Sequence, residues 1–217
     1  MNNLYKVKIE SITPKQQYDY AKRIAVQTHS FFQVFIKFQY LAIFHSYAEL
    51  LHAARLESNP DVSTFTPQPV NIYVNDQRYV PDCFHIENGK QIITEIKKSP
   101  ESRVKNRAAI EEKLNESDIA FRVIDNHSVL KDERELLNWL QIVRSLTLNK
   151  HLSTEEQENL IIEYKECNKE FQIFDLVIQD DTRQSFLYEL AFIRLLYKHQ
   201  LTMKDPQQRL NLGSWVQ

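Results

Sequence analysis

The dipeptide Asn88-Gly89 is the tightest constraint in this chain. A two-residue hairpin turn of type I′ needs positive φ at both central positions, and Asn-Gly supplies that at least cost. Tyr79, Val80, Cys83, Phe84 and Ile86 precede it, and Ile92, Ile93, Glu95, Ile96 and Lys97 follow. The stretch from Arg78 to Pro100 therefore reads as two strands and a tight turn. On the second strand Glu95 and Lys97 are spaced to share a face. Asp82 lies on the facing strand. One hairpin thus carries two carboxylates and an ammonium inside an apolar run.

Clustered carboxylates form a hard, oxygen-rich site suited to Mg²⁺. A neighbouring Lys can orient water or offset charge on a phosphoryl oxygen. Pro81-Asp82, a gap, then Glu95-Ile96-Lys97 resembles the motif of the PD-(D/E)xK nuclease superfamily. The same three residues also suit a surface hairpin with a cross-strand ion pair, so the rest of the chain has to decide.

At 217 residues the chain has room for one large domain or two small ones. No apolar run reaches the roughly 18 residues of a membrane span, and the start MNNLYKVKIE has no signal-peptide core. Cys83 and Cys167 lack metal-ligand spacing and read as reduced thiols, which leads us to expect a cytoplasmic protein. A net charge of −2 argues against indiscriminate polyanion binding but leaves room for a local basic surface. Two glycines in the whole chain exclude a Gly-rich phosphate loop, and with it P-loop NTPases and Rossmann oxidoreductases.

Residues 3–10 alternate weakly, as a strand would. Thr13-Pro14-Lys15-Gln16 carries a cap, Pro at the first helical position and Gln three after the cap, and predicts a helix to about Val26. SFFQVFIKFQYLAIF, residues 30–44, is strand or helix lead-in. A helix is predicted over His45–Glu57, capped by Ser46, with Ala48, Leu51 and Leu56 on its apolar stripe. Glu49 on that helix is by pattern either a solvated residue or a group aimed at a site. The segment Val62–Val74 is broken by Pro67-Gln68-Pro69, so its strand is expected from Val70, with Gln68 held extended between the prolines. Ser99-Pro100 predicts a helix to about Asn115 carrying Arg103, Lys105, Arg107 and Lys113, and Ile119–Ile124 a buried strand. Up to about Asp125 the order is helix, three strands, helix, strand. That is the αβββαβ order of a restriction-endonuclease-like α/β core, so motif and architecture agree.

The stretch from Phe44 to Lys97 resembles more closely the catalytic domain of the TnsA family, the endonuclease subunit of heteromeric bacterial transposases. The shared features are Ser46-x-x-Glu49, the turn Pro60-Asp61-Val62, Gln68-Pro69, Tyr79-x-Pro81-Asp82 and Glu95-x-Lys97. The match covers about residues 30–124. In that family the helix Glu, the hairpin Asp and the final Lys are catalytic. The resemblance thus implies catalytic Glu49, Asp82 and Lys97, and Glu95 joins them as the acidic form usual in the wider superfamily at a position that varies between Gln and Glu in the family. It also implies Mg²⁺, with Mn²⁺ able to replace it, on Asp82, Glu95 and the Ile96 carbonyl, with Glu49 at a second ion or its water. Gln68, Lys98 and Arg103 are expected to contact the DNA. A basic, glycine-containing stretch often precedes the catalytic helix in the family, and the run FFQVFIKFQYLAIF departs from it.

The remainder, residues 128–217, reads as a helical domain behind a nuclease domain of residues 1–127. Helices are predicted at Asp132–Leu148, from the capping box Ser153-Thr154-Glu155-Glu156 to Cys167, at Phe171–Ile178 and at Arg183–His199, with a hairpin in the tail Leu201–Val216. Helices followed by a hairpin resemble the winged-helix C-terminal domain of TnsA proteins. The last helix offers only Arg183, Arg194 and Lys198, balanced by Glu189. That is thin for reading DNA, so docking to protein partners is the expectation for this half. The family resemblance implies cleavage of the 5′ strand at transposon ends in duplex DNA, with a TnsB-like transposase and a TnsC-like ATPase regulator as partners. The competing readings are a stand-alone restriction or repair nuclease and a non-catalytic adaptor.

Overall fold

The computed structural model describes residues 6–9, 30–99, 103–177 and 182–217. Over them the chain is mixed α/β and divides into two compact units, Met1–Lys131 and Asp132–Gln217. Among the described residues no helix is long and apolar enough to cross a membrane. The helix expected between Thr13 and Val26 lies outside the described residues.

In the first unit the order is β1 (Val7–Ile9), β2 (Phe31–Val34), β3 (Leu41–Phe44), α1 (Tyr47–Ser58), β4 (Val62–Pro67), β5 (Ile72–Val74) and β6 (Gln77–Tyr79). It continues with β7 (Cys83–Glu87), β8 (Lys90–Lys97), α2 (Arg107–Asn115), β9 (Ile119–Asp125) and α3 (Asn126–Leu130). The main sheet has the order β4-β7-β8-β9. Its first two pairings are antiparallel, and β8 runs parallel to β9, with α2 in the connection. The β7–β8 turn has φ of +50° at Asn88 and +75° at Gly89, the positive values its sequence demands.

Consecutive residues of β7 face opposite sides of the sheet. Phe84 packs into a core with Ile93 and with Ile110 and Leu114 of α2. His85 meets His52 of α1 edge-on, with ring centroids 6.3 Å apart. The two helices therefore cover opposite faces. The run at 30–44 resolves into the hairpin β2–β3, which buries Phe35 and Phe44 around Phe65 of β4.

Several segments depart from the sequence reading. The strand expected from Val70 is β5 (Ile72–Val74), and the sequence reading missed a second strand ahead of it, β4, which runs from Val62 to Pro67. It is the sheet's edge, where a missing N–H costs nothing. Gln68 is not extended: its φ is +44°. Its N–H donates to the Asp82 carbonyl (2.9 Å), which closes the ladder one step beyond the Pro67–Cys83 pair. The first strand of the central hairpin is also split. Asn75 and Asp76 (φ +49° and +63°) close a separate hairpin, β5–β6, in a three-stranded sheet with β1. Tyr79 ends β6, and Pro81, which has no N–H to donate, separates it from β7. Finally, the basic helix starts at Arg107, while residues 100–102, where the sequence reading begins it, lie outside the described residues. Residues 103–106 are loop, because Val104 is drawn into the core and Asn106 sits at φ +58°.

The second unit holds α4 (Glu133–Leu148), α5 (Glu155–Cys167), β10 (Phe171–Gln172), a 3₁₀ turn (Ile173–Asp175), α6 (Thr182–Tyr197) and β11 (Trp215–Val216). Ile142, Ile161, Phe171, Phe192, Leu195 and Leu196 form its core. The helix expected at Phe171–Ile178 is absent over 171–177, because burying Phe171 and Ile173 together requires period two. Phe171–Gln172 pairs with Trp215–Val216 instead. Residues 202–204 exchange backbone bonds with 215–217, so the tail folds back on itself as expected. Buried Asn138 pins that tail. Its Nδ2 donates to the Pro206 and Gln208 carbonyls (3.0 and 2.6 Å), and its Oδ1 accepts from the Leu210 N–H (2.9 Å). Thr154 does not cap α5 with its side chain. Its hydroxyl donates to Glu158 and accepts from Arg194.

Candidate active site

The site is built from the ends of three elements in the first unit. Ser46, extended at φ −142° and ψ 155°, is the N-cap of α1, and its Oγ accepts from the Glu49 N–H. In return Glu49 accepts from the Ser46 hydroxyl (2.8 Å) and from the His45 N–H (3.2 Å). This reciprocal cap is a local signal that the sequence carries. It turns Glu49 back over the start of the helix, half-buried, instead of out into solvent. Burial raises the Glu49 carboxyl above its ordinary range, the two donors lower it, and the charge of Glu95 raises it further.

Asp82 and Glu95 come together through strand register. Cys83 pairs with Thr94, so one further step sets Asp82 opposite Glu95 on the same face. The Asp82 Oδ2 accepts a 2.6 Å bond from the Ile96 N–H. Burial, followed by the charges of Glu95 and Glu49, holds Asp82 well above the usual carboxylate range, against the pull of that N–H and of Lys97. Glu95 is 5% exposed and has two donors. The Lys97 ammonium pairs with its Oε1, and the Tyr79 hydroxyl donates to its Oε2 at 2.5 Å. Burial and the neighbouring Glu95 raise the Tyr79 phenol far above its ordinary value.

The four residues expected to be catalytic thus stand in one electrostatically linked group. Of the residues expected to touch DNA, Arg103 lines a cleft together with Lys97, while Lys98 is exposed at the end of β8. Gln68 reaches the site through its backbone, by holding the Asp82 carbonyl. Tyr79 is the contributor that residue-type reasoning missed. Its signal was its place in Tyr79-x-Pro81-Asp82, but its bond to Glu95 depends on β6 leaving the main sheet.

The donor set fits a hard divalent cation. Asp82, Glu95 and the Ile96 carbonyl offer oxygen alone, and a cation would relieve the repulsion that, after burial, raises Asp82. Among the described residues no three His, Cys, Asp or Glu side chains form a ready-made metal cage. Mg²⁺ commonly keeps several waters and takes one or two carboxylates. Comparison with protein-family models and with curated proteins finds no match to this chain.

Proposed function

We propose that this chain is a metal-dependent DNA endonuclease of the PD-(D/E)xK type, acting as the TnsA-like subunit of a heteromeric transposase. The observation that carries the reading is the register that sets Asp82 across from Glu95, beside Lys97 and within electrostatic reach of Glu49. The topology supports it as well. A helix, three antiparallel strands, a helix and a parallel fourth strand, in sheet order β4-β7-β8-β9, are compatible with the αβββαβ expectation, with the β5–β6 hairpin inserted between β4 and β7.

On this reading Asp82, Glu95 and the Ile96 carbonyl would hold Mg²⁺, and Glu49 would hold a second ion or its water. The bound metal supplies polarisation of the scissile phosphate and a more acidic water. Lys97, kept beside the site by Glu95, is placed to orient an attacking water and to offset charge developing on the phosphoryl oxygens. Tyr79 fixes the rotamer of Glu95, and Ser46 with the His45 N–H fixes that of Glu49. Gln68 steadies Asp82 through the backbone, and Lys98 and Arg103 contact phosphates without reading sequence. In the second unit Arg194 is committed to the Leu152 carbonyl (2.6 Å) and Thr154, and Lys198 pairs with Glu158. Those commitments favour a role for that unit in docking to partner proteins.

The test is strand-specific nick mapping on duplex bearing transposon ends, with the neighbouring transposase, the ATPase and Mg²⁺. Wild type is compared with Asp82→Asn. Nicks at the 5′ ends that vanish in the variant support the proposal. Partner-dependent 3′ nicks without 5′ nicks would make the chain an adaptor. Cutting by wild type alone would make it a stand-alone nuclease.

A further inference from the structure

Beside the carboxylates lies a cleft of about 360 Å³ lined by Lys97, Ser99, Arg103, Val104, Arg107, Val123, Ile124 and Asp125. Its floor is the paired ends of β8 and β9, where Lys97 stands opposite Asp125. Its rim is the 103–106 loop and the start of α2. Three of its four charged residues are cationic. The acidic one is partly committed elsewhere: the Asp125 Oδ1 caps α3 by accepting from the Ser128 N–H (2.9 Å). Arg107 is anchored through its Nε by Glu111 (2.7 Å), and its side chain is 52% exposed.

A second feature points the same way. Helix α2 opens at this rim with no side-chain cap on Asn106 and no acidic residue in its first turn. The positive end of its dipole therefore adds to the cations instead of being neutralised within the chain. Lys97 joins the two places, since its ammonium bonds Glu95 while its side chain forms part of the cleft wall.

We infer that this cleft is a phosphodiester-binding site. Resting on the nuclease reading, it seats a non-scissile phosphate of the bound duplex, held by Arg103 and Arg107, and so sets which phosphate lies at Asp82 and Glu95. The contact is to the nucleic-acid backbone and carries no base preference. Arg107, which the motif comparison leaves without a role, becomes a DNA-binding residue.

The probe is a fluorescently labelled duplex without sequence features, titrated by anisotropy in EDTA so that nothing is cut, at several salt concentrations. Each phosphate neutralised contributes about 0.9 to the slope of log affinity against log salt. Arg103→Ala with Arg107→Ala removes the contact to one phosphate, so it should flatten that slope by roughly 0.9 and weaken binding about tenfold or more at moderate salt. The double Arg→Lys variant should retain most of the slope, because a point charge suffices for a backbone contact. Lys113→Ala, at the far end of α2, should leave it unchanged and serves as the control. Thermal melting of each variant checks the fold.

A double-alanine variant that melts like wild type and keeps the wild-type slope overturns the inference, whatever nick mapping shows. A wild type with no salt-dependent duplex binding overturns the phosphate site and leaves the nuclease reading to nick mapping. A flattened slope in a protein that cuts no DNA keeps the phosphate site and sinks the nuclease.

Discussion

Replacing Asp82 by Asn and by Ala separates its charge from its hydrogen bond. The Asp82 Oδ2 accepts from the Ile96 N–H at 2.6 Å in a half-buried place. Asn keeps an oxygen there, whereas Ala leaves the N–H unpaired, a loss of about 1–3 kcal/mol. For a chain of this size 1 kcal/mol moves the melting point by about 2–4 °C, so Ala should melt roughly 2–12 °C below Asn. Charge acts in the other direction. The folded pKa of Asp82 is raised, by burial and then by Glu95 and Glu49. Between the ordinary carboxylate value and that raised value the folded protein binds more protons than the unfolded chain, so this group's contribution falls as pH rises. Asp82→Asn removes that loss. Its melting point relative to wild type should therefore climb from acid to neutral pH in metal-free buffer. Mg²⁺ at about 100 times its Kd should stabilise wild type by about 2.7 kcal/mol and the variant hardly at all. The assay is calorimetry across pH, with EDTA and with Mg²⁺. A difference between variant and wild type that stays flat with pH, or equal Mg²⁺ shifts in the two proteins, would refute the account of the carboxylate cluster.

Tyr79→Phe should keep the fold, with a loss of about 1 kcal/mol, and lower the single-turnover cleavage rate, since Glu95 retains only Lys97; an unchanged rate would remove Tyr79 from the site. Asn138→Ala strips three bonds from the tail of the second unit. It should cost about 2–4 kcal/mol in urea unfolding, and a cost below 1 kcal/mol would show that the tail holds without it. Burial, and for His52 the nearby His85, lowers the His52 and His85 pKa values to about 3 and about 4. Their stability contribution is present above the ordinary imidazole value and is lost as pH falls from there towards 4. His52→Leu should make the acid limb of the stability profile shallower, which pH-dependent denaturation would detect; an identical limb would contradict it.

The parts of this protein legible in the sequence are those decided within a few residues. Asn88-Gly89 takes positive φ because that conformation is cheap for those two side chains. Ser46 caps α1 because its hydroxyl reaches an N–H three residues on. Glu95 and Lys97 share a face because strands alternate. Other parts could be read only once distant segments had met. Tyr79 reaches Glu95 because β5 and β6 pair with each other, a choice between two sheets that one strand's pattern does not contain. Gln68 turns to positive φ because the Asp82 carbonyl offers its N–H a partner across the ladder. Residues 103–106 leave the helix because burying Val104 outweighs the local preference of a charged helical run. Phe171 and Ile173 become strand and turn because the core of the second unit needs both side chains on one side. Backbone propensities differ by about 1 kcal/mol or less per residue, while burying one large apolar side chain contributes about 2–3 kcal/mol. Where the two conflict, tertiary packing decides. That is why the order of the elements could be read along the chain, while the boundaries that shape the site came from the fold.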